Sequence, residues 1–169
     1  MEIRHEVSFA LALAMSVAEA TDFARDVART LRHADFLADL QVVAGDPPVV
    51  SAAIPVSAAM FGQRELPFRS VLVPTPTGAR LEGTPLSVDG PGWALVSGEA
   101  RVSPAGPGRS RIDYGFDITV HLRLPRAQRW GERALTRVIE YTARTVLTQV
   151  AGELKRAVAR AAGVATVVA

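Results

Sequence analysis

The segment from residue 110 to residue 124 constrains the fold most, because its apolar and polar residues alternate without a break. An apolar residue occupies every second position, and mostly charged or polar residues lie between them. This period of two is typical of a strand in a sheet with one buried and one solvated face. The apolar face comprises Ile112, Tyr114, Phe116, Ile118, Val120, Leu122 and Leu124, and the polar face Arg111, Asp113, Asp117, Thr119, His121 and Arg123.

Similar stretches recur along the chain before that segment, and turn residues separate them. The turn Gly45-Asp46-Pro47-Pro48 and the loop at 104–108 are the clearest of these boundaries. The short spacing between stretches favours an antiparallel meander over a parallel sheet. The other predicted strands lie at about 2–15, 49–60, 64–73, 79–87 and 93–103.

The first predicted strand overlaps an apolar run at 7–18, which also has features of a secretory signal peptide. Arg4 precedes the run, and Ala18-Glu19-Ala20 has the small-x-small pattern of a cleavage site. Large and small side chains nevertheless alternate along the run, and Glu2 and Glu6 oppose a positively charged N-terminal region. We therefore predict a strand here. No stretch of the sequence approaches the ~20 apolar residues of a membrane-spanning helix.

Helical periodicity follows the first strand and returns at the end of the chain. Ser16 and Glu19 have the spacing of a capping box, and apolar residues recur at helical intervals behind them. Asp35 is expected to begin a second, short helical turn. After Pro125, one long helix is predicted over about 131–162. Its apolar arc comprises Leu135, Val138, Ile139, Thr142, Val146, Val150 and Ala157.

The composition is that of a globular protein. The chain has 169 residues, of which 49% are apolar and 21% are charged. Its net charge of +2 does not require a nucleic-acid partner. Cysteine is absent, which excludes disulfides and thiolate chemistry and is compatible with the cytoplasm. We predict a single domain over 1–162, a C-terminal tail at 163–169 and a cytoplasmic location.

The order of these elements resembles the helix-grip fold of the START and birch-pollen-allergen-like superfamily (SRPBCC). The resemblance covers about residues 2–162. Besides element order, it rests on the junction Ser16-Val17-Ala18-Glu19 and on the terminal helix that follows Leu122-Arg123-Leu124-Pro125. Within that superfamily, the chain looks like an uncharacterised small bacterial family. The resemblance implies an α+β fold in which a curved antiparallel sheet of about six strands wraps around the C-terminal helix.

The same resemblance implies a cavity between the sheet and the last helix, often filled by a lipid, sterol, polyketide or other apolar molecule. Several lineages of the superfamily serve instead as binding or chaperone-adaptor modules, and a few are cyclases or hydrolases. From the sequence, the inner apolar residues can either fill the core or line such a cavity. The expected ligand-binding residues are Phe9, Met60, Phe68, Trp93, Tyr114, Phe116, Ile118, Ile139, Thr142 and Val146.

Residues with catalytic or metal-binding chemistry form no known motif. The sequence has no P-loop, no GxSxG and no HExxH, and its three histidines lie on separate predicted elements. Asp113, Asp117 and His121 share one strand face, but strand positions four apart lie roughly 13 Å apart. That spacing favours cross-strand ion pairs, with Glu99 and Arg101 as partners. We therefore expect no catalytic residue, metal or cofactor.

The polar side of the last helix is a second candidate surface, because its basic residues outnumber its acidic ones. It is either a solvated face or a surface that contacts an acidic partner, a membrane surface or a nucleic acid, and the lack of interleaved aromatic residues favours the solvated face. The sequence favours a non-catalytic module for an apolar or amphipathic small molecule. A protein-interaction or stress-related adaptor is the alternative, and a hydrolase or cyclase ranks third. The basic residues are Arg133, Arg137, Arg144, Lys155, Arg156 and Arg160, against Glu132, Glu140 and Glu153.

Overall fold

The computed structural model describes residues 1–58, 62–87, 89–90, 92–123 and 132–164. Strands dominate the first two thirds of the chain, and one long helix follows them. In chain order, the elements are β1 (Glu2–Leu13), α1 (Val17–Arg25), α2 (Val27–Thr30), β2 (Ala38–Val43), β3 (Val49–Ala58), β4 (Gly62–Thr75), β5 (Gly78–Thr84), β6 (Gly92–Pro104), β7 (Ser110–Leu122) and α3 (Glu132–Ala161).

The seven strands form one open antiparallel sheet in the order β1-β7-β6-β5-β4-β3-β2. Strands β3 to β7 make the predicted meander, in which each strand pairs with the next, and β2 extends it by pairing with β3. The first strand joins the far edge and pairs with β7 from Glu2 opposite His121 to Leu13 opposite Ser110. The predicted architecture, an antiparallel sheet with a long C-terminal helix on its inner face, is confirmed. No helix in the described ranges is both long enough and apolar enough to cross a membrane.

The sheet has one strand more than the six that the sequence predicts. The additional strand is β2. The helical turn expected from Asp35 is wrong, because this region leads into a strand that pairs with β3. Asp39 has a φ of 50°, and the register shifts between Ala38 and Gln41. Such an irregularity breaks the period of two by which a strand is recognised in a sequence.

The predicted helix start at Ser16 is confirmed as a capping box. The Ser16 hydroxyl accepts a hydrogen bond from the Glu19 backbone N–H at 3.3 Å, and the Ser16 backbone N–H donates to the Glu19 carboxylate at 2.8 Å. The bonds from the Ser16 side chain and backbone lower the pKa of Glu19. The fixed start of α1 places Phe23, which is fully buried, on the helix face that packs against the sheet.

The arc of α3 that packs on the sheet differs by one position from the predicted one. Val138, expected on the buried side, is 50% exposed. From Ile139 to Leu154 the buried positions recur three or four residues apart, so they follow the helical period in a frame that excludes Val138. The buried residues of the described part of the helix are Ile139, Ala143, Leu147, Val150, Leu154, Ala157, Val158, Ala159 and Ala161.

The sheet loosens where β5 diverges from β6. These two strands pair only from Gly78 to Leu81 on the β5 side. Beyond that point, the buried Ser70 of β4 donates to the Val96 carbonyl at 2.7 Å, and the Gly83 N–H donates to the Ser97 hydroxyl at 3.0 Å. The two serines thus satisfy backbone groups that a continuous ladder would have paired.

Candidate functional site

An apolar cavity of about 60 Å³ lies between the sheet and all three helices. Its lining is almost entirely aliphatic or aromatic, with contributions from each layer of the fold. From α1, α2 and the following turn come Ala24, Val27, Thr30 and Leu31; from the sheet Leu72, Ala79, Leu81, Gly98, Glu99, Ala100, Tyr114 and Phe116; and from α3 Leu154 and Val158.

The cavity exists because small residues stand side by side in one row across the sheet. Phe9 pairs with Tyr114, Tyr114 with Ala100, and Ala100 with Ala79, so the four side chains share a face. The two alanines leave unfilled space beside the large aromatic rings of the same row. Larger side chains at those two positions would occupy that volume.

Gly98 shapes the neighbouring row. A Cβ atom on this residue would lie 2.5 Å from Cδ1 of Phe116 and 2.7 Å from the backbone oxygen of Gly115. Only glycine therefore lets the Phe116 ring lie flat against the strand at this point. The ring borders the cavity in that position.

Three aromatic rings stack along the cavity wall. The ring centroids of Phe9 and Tyr114 are 4.9 Å apart, and those of Tyr114 and Phe116 are 6.1 Å apart, with interplanar angles of 22° and 9°. Phe9 and Phe116 are only half-buried. Together with Leu31 and Phe36 they pack against both of the buried clusters into which the core divides. We call these four half-buried residues, Phe9, Leu31, Phe36 and Phe116, the seam.

Tyr114 lines the cavity and carries a buried polar atom that lacks a partner. Its side chain is 5% exposed, and its hydroxyl has no hydrogen-bond partner among the described residues. Burial raises the pKa of Tyr114, so the phenol stays neutral. Thr30 also borders the cavity, but its hydroxyl donates to the carbonyls of Phe23 and Asp26, both at 2.9 Å.

Some of the residues predicted to bind a ligand are brought together here. Tyr114 and Phe116 line the cavity, and Phe9 stacks on both of their rings. Phe68 and Ile118 are buried in the core cluster that also contains Ile54 and Leu147, and they do not line the cavity.

The predicted residues of α3 lie too early on the helix. Ile139 is buried, and Thr142 and Val146 are half-buried, but the helix reaches the cavity through Leu154 and Val158. These two residues continue the apolar arc from Val150 in steps of four, a signal that sequence reasoning could have followed.

Trp93 does not face the interior, so the prediction that places it there is wrong. It pairs with His121 in the β6–β7 register, and both side chains lie on the outer face of the sheet. Their rings stack with centroids 4.1 Å apart at 17°. The inner face of β6 carries Ala94 and Val96 instead. Met60 lies outside the described residues.

The charged residues of the outer face pair with one another. Arg111 donates to Asp113 at 2.7 Å, Arg101 donates to Glu99 at 2.8 Å, and Arg4 of β1 pairs with Asp117. The hydrogen bond from Arg111 lowers the pKa of Asp113. Glu99 and Arg101 pair along their own strand, which differs from the cross-strand pairing with β7 that we expected.

The charged residues of the outer face form no candidate metal site within the described part of the chain. Within the described ranges, no three metal-ligating residues lie close enough together to hold an ion. Glu99 borders the cavity, but its carboxylate is bonded to the exposed Arg101 guanidinium. The Glu99 charge is therefore balanced by Arg101 on the exposed side of the sheet and not in the apolar interior.

Comparison with solved structures defines the class of fold. The di-domain ARO/CYC protein BexL, from the BE-7585A biosynthetic pathway, superposes with a TM-score of 0.57 at 12% identity, covering 95% of this chain and 49% of its own. The di-domain ARO/CYC protein StfQ, from the steffimycin pathway, gives 0.54 at 14% identity, covering 95% and 52%. This chain thus spans about half the length of either protein. A START superfamily protein from Mycobacterium smegmatis gives 0.47 at 14% identity, covering 90% and 98%.

The two likenesses with TM-scores above 0.5, to BexL and StfQ, support the helix-grip fold that the sequence predicts, and at identities of 12% and 14% they establish the fold alone. Residues 8–152 match the family described as "Protein of unknown function (DUF3809)". The match covers most of the chain, so the protein belongs to this family. No curated protein sequence matches it.

Proposed function

We propose that this protein is a non-catalytic binding module, which holds an apolar or amphipathic small molecule between its sheet and its C-terminal helix. The observation that carries the proposal is the apolar cavity beside the paired Ala79 and Ala100. Interiors of proteins are normally close-packed. Two adjacent alanines beneath a void therefore support a site where another molecule completes the packing.

The size of the cavity sets a condition on binding. Sites for small molecules typically measure roughly 300–1,000 Å³, whereas this cavity measures about 60 Å³. A larger ligand therefore requires the seam to open. The seam residues are half-buried, so their displacement exposes less apolar surface than displacement of fully buried side chains such as Phe23 or Ile112. We infer that the ligand enters between the two core clusters.

The distribution of carboxylates supports binding without catalysis. A hydrolase or cyclase needs an acid or base within hydrogen-bond reach of the bound molecule. Among the described residues that border the cavity, Glu99 is the one acidic group, and its carboxylate is bonded to Arg101. The similarity to ARO/CYC proteins concerns the fold and supplies no reacting group here.

Binding of a neutral fluorescent probe, N-phenyl-1-naphthylamine, tests this function in the full chain. The Ala100→Leu variant fills the void, and Ala12→Leu adds the same atoms on the exposed outer face of β1. We expect saturable binding by the wild type and A12L, and at least tenfold weaker binding by A100L. Ala24→Val narrows the cavity from the α1 side and serves if A100L fails to fold. Equal binding by folded wild type and cavity-filled variants, or no saturable binding, contradicts the proposal.

A protein-interaction adaptor is the second candidate, and one observation favours it. Val138 and Tyr141 are 50% and 75% exposed on α3, beside the exposed Arg137 and Arg144. An aromatic residue among arginines is typical of a protein interface. A stoichiometric partner that is lost in Tyr141→Ser and retained in A100L would support the adaptor. The cytoplasmic location and the boundary between domain and tail stay predictions.

A further inference from the structure

On the basis of the proposed function, we infer that the ligand is electrically neutral and carries one hydrogen-bonding group that pairs with the Tyr114 hydroxyl. The ligand class is a chain or ring hydrocarbon with an alcohol, ketone, ester or phenol group. Long-chain carboxylates and amines, although equally apolar over most of their length, fall outside this class.

The first part of the argument is the unmet hydrogen-bonding capacity of Tyr114. A buried hydroxyl without a partner is destabilising, and proteins seldom retain one without a use. Of the three buried side-chain oxygens that lack a partner among the described residues, those of Thr75, Ser110 and Tyr114, the tyrosine is the one whose side chain lines the cavity. A ligand group at that place would satisfy it.

The second part is the fixed position of the tyrosine ring. It stacks on the rings of both Phe9 and Phe116, which also stack on each other, and it shares its cross-strand row with Ala100 and Ala79. The ring cannot turn towards solvent without breaking both stacks. The hydroxyl is therefore held in one position on a residue that lines the cavity, and a fixed polar group of this kind can orient a ligand in an apolar site.

The third part is the absence of a counter-ion. None of the described cavity-lining side chains is cationic, and the carboxylate of Glu99 is paired with Arg101. A charged group brought into such a site loses its hydration and gains no opposite charge in return. A phenol that stays neutral can donate to a carbonyl or ether oxygen, or accept from an alcohol, at no comparable cost.

Competition against bound N-phenyl-1-naphthylamine at pH 8 tests the inference. The competitors are 1-decanol, methyl decanoate, decanoate and decylamine, which share their chain and differ in their polar end. The proteins are the wild type, Tyr114→Phe and the matched control Tyr141→Phe, whose ring is 75% exposed. We expect decanol and methyl decanoate to displace the probe from the wild type at concentrations at least tenfold below those of decanoate and decylamine.

The variants distinguish the contribution of the Tyr114 hydroxyl to ligand affinity from that of the apolar cavity. Y114F is expected to weaken binding of decanol and methyl decanoate about five- to tenfold relative to any change in its probe affinity, while Y141F behaves as the wild type. Equal displacement by decanoate and decanol overturns the neutral-ligand inference. Unchanged decanol binding by Y114F overturns the anchor and leaves water as the partner of the hydroxyl. In both cases the probe still binds, whereas failure of the probe to bind defeats the proposed function itself.

Discussion

Asp113 and Tyr114 are neighbours on β7, and they show how differently the two faces of the sheet treat polar groups. Asp113 is exposed, yet it accepts three hydrogen bonds from Arg111. Tyr114 is buried, and its hydroxyl has no partner within the described chain. An exposed ion pair contributes little because water would serve each partner nearly as well, whereas a buried unpaired hydroxyl is costly. The density of charged residues is therefore a poor guide to the site in this protein.

Truncation of a core residue gives the largest expected difference between the faces. Ile112→Ala, at a fully buried position, should lower the free energy of unfolding by about 2–5 kcal/mol through lost burial and the remaining cavity. The control Thr119→Ala lies on the outer face of the same strand and should cost less than about 1 kcal/mol. Denaturant unfolding measures both. Similar losses in the two variants would contradict the assignment of faces.

Removal of the unpaired hydroxyl is expected to stabilise the protein. In the absence of ligand, Tyr114→Phe should raise the free energy of unfolding by about 1–2 kcal/mol, because the substitution removes the buried oxygen that lacks a partner. Tyr141→Phe, at an exposed ring, should leave the free energy unchanged. A clear loss of stability in Y114F would instead indicate that the hydroxyl has a partner in the folded protein.

The unfolding free energies of the wild type and Y114F at alkaline pH test the burial of the Tyr114 phenol. Burial raises the pKa of Tyr114 in the folded state, so only the unfolded chain releases this proton just above pH 10. Ionisation of Tyr114 therefore leaves the unfolding free energy of the wild type unchanged below pH 10. Above pH 10 it lowers this free energy by about 1.4 kcal/mol per pH unit. The difference in unfolding free energy between Y114F and the wild type should widen accordingly from pH 9.5 to 11. A difference that is independent of pH would contradict the burial of the phenol.

The outer ion pair gives the smallest expected effect. The hydrogen bond from Arg111 lowers the pKa of Asp113, so its small contribution is present above the unfolded carboxylate pKa of about 4 and declines as the pH falls. Asp113→Asn should therefore shift the urea midpoint only slightly at pH 7, and the difference between the two proteins should shrink as the pH falls and the carboxylate becomes protonated. A large shift at pH 7 would show that this surface has a greater role in stability than we infer.

Local patterns predict most of the fold, because they depend on residues close in sequence. The alternation along β7, the capping box at Ser16 and the long apolar arc of α3 each signal an element directly. β2 escapes prediction because the positive φ of Asp39 and a register shift interrupt its alternation. The prediction for Trp93 is wrong because the size of a side chain does not determine which face of a strand it lies on.

The candidate site depends on residues that are far apart in sequence, so less of it is predictable. The inward orientation of Tyr114 and Phe116 is predictable, because the alternation along β7 places both on its apolar face. The void is not predictable, because it depends on the pairing of Ala79 with Ala100. That pairing is known only from the register of β5 against β6. Gly98 contributes through a close approach to Phe116, which no local pattern records.

A titration of the isotopically labelled full chain with 1-decanol, followed by NMR chemical shifts, tests the central claim most directly. The account predicts saturable shifts that centre on Tyr114, Phe116, Leu154 and Val158, with the outer-face residues Asp113 and Thr119 unmoved. Shifts confined to the outer face of the sheet or to the exposed side of α3 would contradict an interior binding site, as would a complete absence of saturable shifts.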